Sequence, residues 1–159
     1  MEKDDLLKIA LDTRQFEIQM LWQRSNYFLI FNTAIAVGFF SAKDRFWAQL
    51  LAAVFGVAVS WLWYRVNLGG KYWQSRWEEA AWRLENECAP DAKLFAATES
   101  EVQVEVVQSL KRWDHKGFAK WLDKQILKKP SLSQQMVIPS LCFMLFWAFC
   151  VVESVAARF

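Results

Sequence analysis

Few residues of this chain could do chemistry. His115 is the one histidine, with Asp114 beside it and Arg112 three positions earlier. An imidazole next to a carboxylate can act as a general base, but consecutive side chains diverge around a helix, and no second histidine completes a metal set. Only Trp113 and Asp114 separate Arg112 from His115, which is shorter than the Arg-to-His spacing of some membrane-associated RNases. Phosphate-binding GxxxxGKS and GxGxxG loops, a GxSxG elbow and an HExxH pair are all absent. Cys88, Cys142 and Cys150 form no CxxC pair, and their odd number fits no closed disulfide framework. The sequence therefore predicts no catalytic residue, no metal site, no cofactor and no enzyme, and an active site centred on His115 is a remote alternative.

The remaining polar residues of interest lie inside apolar blocks. Asn32 and Thr33 fall within YFLIFNTAIAVGFFSA, Tyr27 to Ala42, and Gln49 and Ser60 within FWAQLLAAVFGVAVSWLWY, Phe46 to Tyr64; neither block holds a formal charge. At about 1.5 Å per residue the first covers roughly 24 Å of a hydrocarbon core about 30 Å thick. Lys43, Asp44 and Arg45 make a tight polar connection, so the two helices must run antiparallel as a transmembrane hairpin. A third block, Met136 to Ala156, is long enough to span alone, with Pro139 in its first turn and Glu153 as its one charge, near the far interface. An amide left bare in hydrocarbon is costly, so Asn32 must pair or meet water. One expectation is a hydrogen bond within the hairpin. The sharper one is that Asn32 and Ser60 repeat around an oligomer and line a polar path, which needs several protomers.

Composition agrees with such elements. Hydrophobic residues make up 55% of the 159 residues, with ten Trp and thirteen Phe, which excludes a disordered chain. A formal net charge of +2 gives no reason to expect nucleic-acid binding, and residues 65 to 135 carry twelve basic against ten acidic side chains. Of the nineteen Lys and Arg, only Lys43, Arg45 and Arg158 fall in the hairpin connection and the tail. Basic residues are retained on the cytoplasmic side, so the N-terminus is expected there and the C-terminus on the opposite side. No cleavable signal peptide is expected, because the first 24 positions carry Glu2, Asp4, Asp5, Asp12 and Glu17 rather than a basic start followed by an apolar run. Trp22, Tyr27, Phe46, Trp47, Trp61, Trp63 and Tyr64 match an aromatic belt, whereas Trp147 falls too near mid-membrane.

Small residues recur every four positions as Ala34, Gly38 and Ala42 in the first block and as Ala48, Ala52, Gly56 and Ser60 in the second. Helices in lipid associate through close backbone approach, so these rows are expected to face each other in the hairpin. Four segments follow: an amphipathic cytoplasmic helix at 1–26, the hairpin at 27–64, a cytoplasmic helical region at 65–135 and a third transmembrane helix at 136–156. In the cytoplasmic region Trp73, Trp77, Ala80, Ala81, Leu84 and Cys88 form one helical face ending before Pro90, with Gly69 and Gly70 as an expected kink. Trp82 projects opposite and needs a subunit or partner to cover it; Trp73, Trp77 and Trp82 are the candidate oligomer or partner contacts. Thr98 and Glu101 have the form of a capping box. Val102, Val106, Leu110 and Trp113 share a face, Gly117 interrupts it, and Phe118, Trp121, Leu122 and Ile126 resume an apolar pattern toward Lys124, Lys128 and Lys129.

The order of an N-terminal helix, a tight two-span hairpin and a long helix opening with RVNLGGKYWQSRWEEAAWRLE resembles SLATT-type and related small membrane effectors of bacterial antiphage and CRISPR-associated systems. The likeness covers Leu6 to Glu87, and the third block departs from the two-span plan. It implies a homo-oligomeric pore or membrane-disrupting effector in a bacterial inner membrane, switched by a cytosolic sensor or nuclease partner, and carries no catalytic residue across. The sequence thus predicts an all-α protein with three transmembrane helices and cytoplasmic amphipathic helices, embedded in a lipid bilayer as a channel-like homo-oligomer. The alternative is a non-conducting adaptor for a cytosolic partner.

Overall fold

Five helices order the described part of the chain: α1 (Lys3–Ser41), α2 (Phe46–Cys88), α3 (Glu99–Arg112), α4 (Phe118–Ile126) and α5 (Val137–Ala156). The structure is a computed structural model and describes residues 3–43, 45–93, 95–112, 116–128, 131 and 135–158, among which there is no strand. The protein is all-helical. α1 carries the charged N-terminal segment and the first apolar block in one uninterrupted helix. α2 does the same for the second block and the tryptophan-rich segment, continuing through Gly69 and Gly70 without a break in the helix. By length and composition, α2 and α5 can each cross a membrane. α1 does not meet that measure, because its uncharged stretch is short and includes Asn32, Thr33 and Ser41.

The chain divides into two compact units. One comprises Gln15–Gln74 and Leu132–Phe159, and it holds most of α1, the first part of α2, and α5. Here α1 and α2 pack antiparallel: Ser25 meets Asn67, and seven residues along α1 and seven back along α2, Asn32 meets Ser60. Buried or half-buried positions recur at Leu21, Ser25, Phe28, Asn32, Ile35 and Phe39 on α1, and at Ala53, Gly56, Ser60, Trp63, Asn67 and Gly70 on α2. Alternating steps of three and four residues are the heptad spacing that keeps two helices in contact along a seam. α5 adds Ser140, Phe143, Trp147 and Cys150, so Ala53, Trp147 and Cys150 form a core cluster bordered by Ile35, Ala36, Phe39, Val57, Phe143 and Val151. Outside, Val37, Phe40, Trp47, Leu51, Phe55, Leu145, Phe149 and Val152 are all exposed.

The other unit comprises Met1–Arg14 and Ser75–Ser131. Ala10 and Ala81 are buried in it, and Arg14 pairs with Glu78 at 3.3 Å while its guanidinium lies 5.3 Å from the centre of the Phe95 ring. α2 stops at Cys88, just before Pro90, and the following turn is held by Glu85. This buried carboxylate accepts hydrogen bonds from the backbone N–H groups of Phe95 and Ala96, both at 2.7 Å. The capping box forms as expected. The Thr98 N–H donates to Glu101 Oε2 at 2.7 Å and the Glu101 N–H donates to Thr98 Oγ1 at 3.3 Å, starting α3 at Glu99. Gly117, at φ +60°, separates α3 from α4 in a backbone conformation that other residues rarely adopt.

Candidate functional site: polar clusters inside an apolar helical unit

Asn32 sits on the inward face of α1, fully buried, with its amide hydrogen-bonded to neighbours from all three helices of its unit. Its Oδ1 accepts hydrogen bonds from Ser60 Oγ of α2 at 3.0 Å and from Trp147 Nε1 of α5 at 2.8 Å, and its Nδ2 donates to the Phe28 carbonyl at 2.9 Å. An amide oxygen has two lone-pair positions, so both are used. Trp147 reaches Asn32 because position 56 has no side chain: a Cβ there would collide with the indole carbons Cγ, Cδ2 and Cε2. The edge of Trp147 also meets Phe39, at 5.8 Å between ring centres.

A second cluster repeats the same chemistry a heptad away. Trp63 Nε1 donates to Ser25 Oγ at 3.4 Å, Ser25 Oγ donates to Asn67 Oδ1 at 3.5 Å, and Asn67 Nδ2 donates to the carbonyl of Met136 at 2.8 Å. Trp63 stacks on Phe28 and leans on Phe143, each at 6.0 Å. Both clusters pair an Asn with a Ser across α1 and α2 and tie in the chain at α5 or just before it. Neither contains a titratable side chain. What this arrangement does is hold three helices in one register, with donors and acceptors matched where water is excluded.

The sequence-predicted residues fall in several places. Asn32 and Ser60 come together as the hairpin hydrogen bond required, but both are enclosed within the protomer and neither presents its side chain to a path outside it. The small-residue rows do not face each other within the chain. Ala34 and Gly38 are exposed, and a Cβ on Gly38 would meet nothing within 4 Å, whereas Gly56 and Ser60 are buried against α5 and Asn32. The physical reason is the heptad: the seam of α1 runs through Leu21, Ser25, Phe28 and Asn32, which turns the row at Ala34 and Gly38 outward. Gly38, Ser41, Ala42, Arg45 and Ala48 instead line an open groove of about 510 Å3, and Ala52 is half-buried. Thr33 is exposed and satisfies its hydroxyl on the Leu29 carbonyl at 2.9 Å. Trp73 and Trp82 are exposed and Trp77 is half-buried. His115 and Trp113 lie outside the described residues. No disulfide joins the three cysteines, and among the described residues no three His, Cys, Asp or Glu side chains gather in a way that could hold a metal ion.

Trp147, Trp63, Asn67 and Ser25 were missed as site residues. The seven-residue interval from Ser25 to Asn32 and from Ser60 to Asn67 was the available signal. Aromatic residues also mark the ends of the unit: the Arg158 guanidinium lies 4.5 Å from the Phe46 ring centre and 5.4 Å from that of Trp47, and Arg65 lies 5.5 Å from Trp61.

A helical unit that buries Ser25, Asn32, Ser60, Asn67 and Ser140 while exposing Phe40, Trp47, Leu51 and Phe55 has the polarity of a molecule whose solvent is lipid. It defines an integral membrane protein. The chain belongs to the octameric membrane protein family (8xMP), whose model matches residues 4–156. Membership makes it a membrane protein of a homo-oligomeric family; the match names no SLATT-type or defence system. Neither the curated proteins nor the solved structures give a match to the chain.

Proposed function

We propose that the protein is one protomer of a closed ring in a bacterial inner membrane, and that the ring acts as a channel-like or membrane-permeabilising effector. Eight copies are taken from the family description. In this reading the first apolar block crosses the membrane with α2 and α5, the N-terminus is cytoplasmic and the C-terminus lies on the opposite side. A three-helix protomer is too small to enclose a path, so any opening lies between copies. The observation that carries the reading is the outward row of Ala34 and Gly38 on an otherwise greasy surface, where a neighbouring helix can approach closely. The test is native mass measurement of the detergent-extracted protein, followed by conductance in liposomes. A discrete ring that conducts supports the proposal, and a monomer silent under every activating condition overturns it.

One observation favours a second reading, a non-conducting membrane adaptor. Asn32 and Ser60 spend their polar groups on each other and on Trp147, so a wet path would have to be lined by other residues. The exposed Trp82 then serves as a contact for a cytosolic sensor or nuclease, as the resemblance to antiphage and CRISPR-associated effectors implies. This reading predicts co-purification with that partner and no conductance. Neither reading assigns the chain a reaction, and His115→Ala is expected to leave function intact.

A further inference from the structure

Among the described helices α4 is the most sharply two-faced. Phe118, Trp121, Leu122 and Ile126 lie on one side, at 72%, 52%, 42% and 51% exposure, with Phe118 and Trp121 stacked at 5.4 Å. Helical spacing puts Lys120 and Lys124 on the other side, and Lys116 and Lys128 flank the helix. The neighbouring α3 behaves differently: its apolar Val102, Val106 and Leu110 are half-buried. The Asp123 and Leu127 side of α4 faces α3: Lys120, Asp123, Lys124 and Leu127 share a cavity of about 330 Å3 with Val107, Leu110 and Lys111, and Ile126 and Leu127 border a second with Val106, which leaves Phe118, Trp121 and Leu122 as the open side.

We infer that α4 is an in-plane membrane anchor, its Phe118, Trp121 and Leu122 face sunk into the boundary between acyl chains and headgroups and its lysines drawn to anionic lipid. An aromatic and aliphatic face opposite a lysine-rich one is what holds a helix in the interface plane. Four lysines against Asp123 complement an anionic surface. The covalent chain keeps α4 within reach of the bilayer. Ten residues, 127–136, separate it from α5, one of the two helices able to cross a membrane, and a chain of that length spans at most about 35 Å. The inference rests on the membrane setting alone; a ring that conducts nothing would carry it equally.

The test uses the full chain in phosphatidylglycerol-containing vesicles, with Cys88, Cys142 and Cys150 replaced by serine and a spin label attached in turn at Phe118→Cys, Leu122→Cys and Lys120→Cys. Contact with lipid makes labels at 118 and 122 accessible to oxygen and shields them from a water-soluble nickel chelate, while the label at 120 shows the reverse. Shielding of 118 and 122 from both reagents would assign the face to a protein neighbour, and free access of the nickel chelate would leave it in water; either overturns the proposal. If the cysteine-free chain does not assemble, the native-cysteine chain serves, with hydroxyl-radical oxidation of Trp121 as the readout. Replacing Lys120, Lys124 and Lys128 with glutamate is then expected to raise that oxidation at least about five-fold. Unchanged oxidation overturns the proposal.

Discussion

The indole of Trp147 occupies the volume that any side chain at Gly56 would need, and from that notch its N–H reaches the Asn32 oxygen at 2.8 Å. α5 is therefore attached to the hairpin by shape and by one hydrogen bond acting at the same point. In lipid, where helices gain no hydrophobic drive by meeting, such local fit carries the specificity.

Gly56→Ala is expected to displace Trp147 and cost about 1 to 3 kcal/mol of protomer stability, the range for overpacking a filled core. Trp147→Phe loses the donor together with part of the packed indole volume, so it is expected to cost more than the about 1 kcal/mol of one hydrogen bond. Denaturant titration in detergent measures both. Equal stability of Gly56→Ala and the parent would show that α5 is not seated on this notch.

Asn32 is a structural residue by this geometry, and that fixes how its variants should behave. Asn32→Ala leaves Ser60 Oγ and Trp147 Nε1 without their shared acceptor. A double-mutant cycle with Ser60→Ala should give a coupling of about 0.6 kcal/mol, and no more than about 1.7, the range seen for hydrogen bonds between membrane helices. Conductance, if the ring conducts, should fall with the amount of assembled protein and keep its ion selectivity. A change in selectivity without loss of assembly would return Asn32 to the lining.

Much of the local structure was legible from residue types alone. Pro90 marks the end of α2, the Thr98–Glu101 capping box starts α3, and Gly117 divides α3 from α4, because each acts within a few residues on the backbone itself. The facing of α1, α2 and α5 was not legible by the same route. A row of small residues and a row of polar and aromatic residues both have helical spacing, and choosing between them requires the Ser25–Asn32 interval to be read together with Ser60–Asn67 and with Trp147, more than a hundred positions away. Glu85 gave no signal at all, since its partners are two backbone N–H groups brought round by the turn after Pro90.

The outward row makes a prediction opposite to that for Gly56. Gly38→Leu adds bulk where a Cβ meets nothing within 4 Å, so the protomer should keep its stability. If Ala34 and Gly38 are where neighbouring copies approach, the same substitution should lower the subunit number or dissociate the ring. Native mass measurement alongside denaturant titration reads both at once. A ring of unchanged mass would remove this face from the interface.

The last expectation concerns acid. Glu101 accepts a hydrogen bond from Lys93 Nζ at 2.8 Å and others from the Thr98 backbone N–H and hydroxyl, which together hold its pKa down at about 2 from an ordinary 4.5, while Lys93 is raised by the same contact. A carboxylate depressed on folding contributes stability in full above its unfolded value and loses it as pH falls through the folded one. The start of α3 should therefore be insensitive to pH from neutrality to about 5, and fray progressively between about 4.5 and about 2. Glu101→Gln should remove this transition and leave the first turn of α3 frayed even at neutral pH. Amide exchange at Val102 and its neighbours, followed against pH in both proteins, reads the effect directly; identical profiles would mean that Glu101 does not hold the helix start.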